Sequence, residues 1–129
     1  SVSDVVAALV DPLSAIRAAV QQTALVMSGD AHVFEAFMPT DVNQPIQLVV
    51  GTGGDKLEKA DMLGDDPTKP KPATMFGRTG TLTGKVEFGF VLLTREPHGW
   101  TATLHDVQGN PVLQCELSAR TCSPSASAP

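Results

Sequence analysis

Tyrosine is absent, Trp100 is the single tryptophan, and five Phe supply the rest of the aromatic surface. Lys and Arg are outnumbered by Asp and Glu, nine to fourteen, and the net charge of -5 would repel phosphates. No basic stripe with interleaved aromatics runs through the chain, so a nucleic-acid partner is not expected. No apolar run approaches the roughly 20 residues needed to cross a bilayer, and no membrane partner is expected either. There is no G-x-S-x-G nucleophile elbow, no Cys with a base nearby in sequence, and no internal repeat. Serine-type and thiol-type catalysis therefore have no motif to rest on.

What is present suits a packed domain. The chain has 129 residues, 42% hydrophobic and 18% charged, enough for one core and too few for two ordinary domains. It begins SVSDVVAALV, without an initiator Met or a basic n-region, as a piece or matured form of something longer would. Ser3-Asp4 and Asp11-Pro12 are helix-start signals, and Leu9, Leu13, Ile16 and Val20 recur at helical spacing. The pattern predicts an N-terminal helix ending near Gln21 or Gln22. Thr23 to Ser28 reads as a short buried strand, followed by strands over 32–38 and 46–50. Residues 55–72, charged and proline-punctuated, read as a long surface loop. The last third, 86–96, 100–106 and 111–118, reads as a β meander with turns at Pro97–Gly99 and Gln108–Asn110.

Cys115 and Cys122 stand seven positions apart near the end of that meander. They can close a small disulfide loop, which suits an exported, periplasmic or secreted protein, or remain two free thiols. The residues after them, 123–129, read as a flexible tail, so the domain is placed at 1–122.

The candidate chemistry is sparse. Asp30 and His32 lie on a Gly-turn after an apolar strand, where a carboxylate and an imidazole can face one ion; such oxygen and nitrogen donors suit zinc, iron or manganese. Two ligands do not make a site, and the plain alternative is a capping Asp beside a His bonded to backbone. GTGG, 51–54, lacks the lysine of a phosphate-binding loop and reads as a tight turn. Gly77 and Gly80 read as loop punctuation around Arg78, a lone candidate for holding an anion. His98 and His105 read as ordinary turn and strand residues. Asp61, Asp65 and Asp66 lack the spacing of a calcium loop.

The order of these segments carries a resemblance. SGDAH, the apolar VFEAF, a polar turn, PIQLVVGTGGDKL, then FGFVLL and GWTATLHDVQGNPVLQCEL resemble the C-terminal third of a calcineurin-like metallophosphoesterase, in the purple acid phosphatase-like superfamily. In that family a Gly-His-x-His segment after a buried strand gives two ligands to a dinuclear centre. The resemblance implies that His32 is the second of these ligands, while Asp30 stands where the first histidine would be. The family's other ligand segments, Asp-x-His, Gly-Asp-x-x-Asp and Gly-Asn-His-Glu/Asp, do not occur in the chain.

These readings predict an α+β fold, an N-terminal helix packed on a mixed, mostly antiparallel sheet of about six strands, equivalent to half of the family's sandwich. A half-sandwich leaves an apolar face bare, so the missing N-terminal portion, a second chain or a second copy is expected as a partner. The resemblance implies the C-terminal segment of a phosphate-ester hydrolase, contributing part of a two-metal site and inactive alone. The alternative is a non-catalytic, exported β-rich binding module in which GDAH is only a turn. A third option is a small hydrolase assembled across a dimer from Asp30, His32 and the acidic loop.

Overall fold

The structure, a computed structural model, describes residues 24–29, 31–59, 68–75 and 77–125. Its strands are β1 (Leu25–Ser28), β2 (Phe34–Pro39), β3 (Ile46–Val50), β4 (Lys71–Met75), β5 (Arg78–Lys85), β6 (Gly89–Glu96), β7 (Gly99–Asp106), β8 (Pro111–Glu116) and β9 (Thr121–Pro124). The first five form one sheet in the order β1-β3-β2-β5-β4, and the last four a meander in chain order. Only β1 and β3 run parallel; every other pair is antiparallel.

Alternation explains how the sheets meet. Along β2, Phe34, Ala36 and Met38 share one face, and Ala36 sits opposite Leu48 of β3. Along β7, Ala102 and Leu104 share a face, opposite Cys115 and Leu113 of β8. These two strips are buried and pack together as one core. Removing a Phe or Leu side chain from water contributes about 1.5–3 kcal/mol each, so this seam is the main source of stability.

This architecture overturns the α+β expectation. The described chain is all-β, with two sheets and no helix among the described residues; the helix read near the N-terminus lies outside them. It also overturns the picture of a half-sandwich with a bare inner face, because the second sheet covers the first. The sequence hides this because β4 and β5 are built from Thr, Gly, Lys and Pro rather than Val and Ile. Gly80 and Arg78 lie in a strand, not in loop punctuation. β5 pairs with β2 from Phe34 opposite Lys85 to Pro39 opposite Gly80, and so occupies the interior of its sheet. The strand read as buried, β1, is an edge strand, and its Val26 and Met27 are 40% and 46% exposed.

The meander is as the turn residues predict, with β9 added beyond it. Cys115 and Cys122 lie directly opposite one another on β8 and β9 and are joined by a disulfide. Both are buried in the core. A crosslink closing so short a loop contributes about 2–3 kcal/mol by chain entropy, and it suits an oxidising compartment.

Two polar clips fasten the sheets at opposite ends. At one end Thr52, which follows β3, exchanges two hydrogen bonds with Gly89 of β6: the Gly89 N–H donates to Thr52 O, and the Thr52 hydroxyl donates to Gly89 O, both at 3.2 Å. At the other end Arg120, in the β8–β9 turn, donates from Nη2 to the carbonyls of Pro39 at 2.9 Å and Gln44 at 3.0 Å. Arg120 adopts φ of 56°, a left-handed conformation uncommon for a residue with a Cβ.

Asp106 shapes the β7–β8 turn. Its carboxylate accepts the backbone N–H groups of Asn110 at 2.8 Å and Gln108 at 2.9 Å, and the Asn110 side-chain amide at 3.2 Å. The Asn110 N–H bond does most to hold its pKa below the ordinary 3.8, because it favours the charged form. A depressed folded pKa adds stability that is present above 3.8 and lost as pH falls through the lower, folded value. Urea unfolding should therefore show the wild type more stable than Asp106→Asn at neutral pH, with the gap narrowing below pH 3.8. A gap that is independent of pH would contradict this role.

Candidate functional site

Because β1 and β3 run parallel, with Ser28 in register with Val49, they end on the same side of the sheet. Residues 31–33, which come after β1, lie there, and GTGG leaves β3 beside them. The Gly51 N–H donates to Val33 O at 3.0 Å, and the Val33 N–H to Ala31 O at 2.9 Å. A Cβ on Gly51 would lie 1.8 Å from Ala31 O, so the two turns touch backbone to backbone with no room for a side chain. Residues 55–59 return to this end, with the Glu58 N–H donating to His32 O at 3.0 Å. His32 sits half-buried in this constellation, and Thr52 is fully buried. GTGG is thus a tight turn, as its sequence suggests, and its glycine serves a close approach between two loops.

Of the residues singled out in the sequence, Asp30, Asp61, Asp65 and Asp66 lie outside the described residues. His98 is exposed in the β6–β7 turn, remote in the topology from His32. His105 stacks on Phe90 with ring centroids 5.1 Å apart, and its Nδ1 lies 3.1 Å from Gly109 O, so its ring has structural contacts. Arg78 donates to the Gln44 side chain at 3.2 Å. Glu35, on β2 opposite Val49, has its pKa raised by burial. Among the described residues, no group of three or more His, Cys, Asp and Glu side chains could hold a metal. His32 is the described donor of the turn, and the described residues do not fit a complete metal centre.

The sandwich opens at its other end, where β1 and β3 begin. A cleft of about 620 Å³ lies there, walled by Leu25, Ile46, Leu93, Trp100 and Leu117, with Arg120 on its lining. These apolar residues continue the inward faces of both sheets where the sheets no longer cover each other: Leu25 pairs with Ile46, and Leu93 with Ala102. Trp100 remains 49% exposed and Leu93 39%. Sequence reasoning misses Arg120 altogether, since a lone Arg between two cysteines carries no motif.

Comparisons with protein-family models, with curated proteins and with solved structures found no match for this chain. The structure therefore defines its class by architecture alone: a disulfide-closed β-sandwich with paired glycine-bearing turns at one end and an apolar cleft at the other.

The contact at Gly51 yields a direct test. Gly51→Ala must push the Ala31 backbone away or distort β3, and overpacking of this kind costs about 1–3 kcal/mol. Gly54, around which a Cβ meets nothing within 4 Å, serves as the control. Chemical unfolding of both alanine variants should show a loss at position 51 and little at position 54; equal effects would contradict the backbone contact.

Proposed function

We propose that this chain is the C-terminal segment of a metal-dependent phosphoesterase, supplying the turn of Asp30 and His32 to a two-metal site completed by residues outside it. The observation that supports this reading is the meeting of SGDAH and GTGG at the ends of parallel β1 and β3. In open α/β sheets ligand crevices form outside the carboxyl ends of parallel strands, and β1 with β3 is the parallel pair here. These are also two of the segments on which the phosphoesterase resemblance rests. The chain's own contribution is positional: backbone bonds from Gly51 and Glu58 hold the turn in shape, and His32 offers an imidazole from it.

With no group of three or more metal donors among the described residues, the chain alone is not expected to hydrolyse phosphate esters, and no catalytic step is assigned to it. A nitrogen donor beside a carboxylate suits zinc, iron or manganese. The disulfide supports placing the protein in the periplasm or outside the cell.

A partial site still concentrates a cation weakly, which paramagnetic NMR detects. On titration with Mn²⁺, His32 and the amides of 51–54 should broaden selectively, with His98 and His105 spared. His32→Ala should abolish the broadening at 51–54 while leaving the fold intact. Equal broadening at all three histidines, or none around GTGG, would overturn the reading in favour of a non-catalytic binding module whose GDAH is only a turn.

A further inference from the structure

The cleft at the Arg120 end is remote in the topology from the paired turns and is independent of the phosphoesterase reading. Its volume of about 620 Å³ lies within the range of small-molecule pockets, about 300–1,000 Å³. Its walls are mainly apolar, and among the described residues Arg120 is the single charged one on its lining; Asn43, Gln44 and Ser118 are the neutral polar ones.

The guanidinium is fixed yet incompletely used. Nη2 donates to three carbonyls, those of Pro39, Gln44 and, at 3.4 Å, Asp41. Nε has no acceptor but is buried out of a ligand's reach, so Nη1, which makes no hydrogen bond to the described residues, is the donor left for one. None of the three partners is a carboxylate, so among the described residues the hydrogen bonds of the guanidinium go to peptide dipoles alone. An unpaired cation beside an apolar wall attracts one negative charge attached to an apolar body.

We infer that this cleft binds a singly charged apolar carboxylate, a fatty-acid-like molecule, with the acid group on the Arg120 guanidinium and the tail along Leu25, Leu93, Trp100 and Leu117. A dianionic head or a zwitterion would bring a charge that nothing on the lining matches. The preorganised arginine favours carboxylate over hydroxyl, because hydrogen bonds to charged groups are the stronger kind.

Trp100 is the only tryptophan and no tyrosine is present, so intrinsic fluorescence reports on this cleft directly. Titration with decanoate below its micelle concentration should change Trp100 emission saturably. Decanol, the neutral counterpart, should bind roughly tenfold or more weakly, as the loss of a charge-assisted hydrogen bond requires. Arg120→Met should remove that preference while keeping the response to decanol. Because Arg120 also clips the sheets, Val42→Asp provides a second variant. Val42 lines the cleft yet is 74% exposed, so the added negative charge should weaken decanoate binding selectively without disturbing the fold. Equal affinities for decanoate and decanol, or an unchanged Trp100 signal at saturating decanoate, would overturn the assignment.

Discussion

Everything in this molecule depends on the seam where Phe34, Ala36 and Leu48 of one sheet meet Leu104, Leu113 and Cys115 of the other. The seam is apolar, so it gives the sheets attraction without orientation. Orientation comes from the polar clips at its two ends, Thr52 with Gly89 and Arg120 with the carbonyls of 39–44. The disulfide lies inside the seam and binds β9 to it. An interior this small, with little aromatic mass, needs such fastenings.

The same arrangement gives the two ends of the sandwich different surfaces. Parallel pairing of β1 with β3 sends two turns to one end, and the close approach at Gly51 joins them into a single backbone surface. At the other end the inward faces continue past the point where the sheets cover each other, leaving Leu93 and Trp100 partly exposed beside a fixed guanidinium. Paired turns at one end and an apolar cleft at the other thus follow from one packing geometry.

How much of this is legible in the sequence depends on the residue types. Strands with alternating Val, Ile, Leu and Phe, such as β3 and β6, announce themselves, as do the Asp, Asn and Gly turns of the meander. β4 and β5 do not, because β4 is Lys-Pro-Ala-Thr-Met and β5 mostly Thr and Gly, residues whose fitness for a sheet comes from partners that a linear reading lacks. The missing strands are why one six-stranded sheet is expected where two sheets exist. The cysteine spacing leaves a disulfide and free thiols both open, and the structure closes the bond. The pairing of SGDAH with GTGG is visible only as an order of motifs. Arg120 is invisible, because its role comes from three carbonyls some eighty residues away.

The central claim is that this chain carries one part of a metal centre and not the whole. The most direct measurement is the metal content of the purified 129-residue chain, by elemental mass spectrometry after gel filtration. Two donors do not retain a transition metal through a column, so zinc, iron and manganese should each fall far below one per chain. Near-stoichiometric metal travelling with the isolated chain would contradict the account, because the centre would then be complete within this chain or its own oligomer.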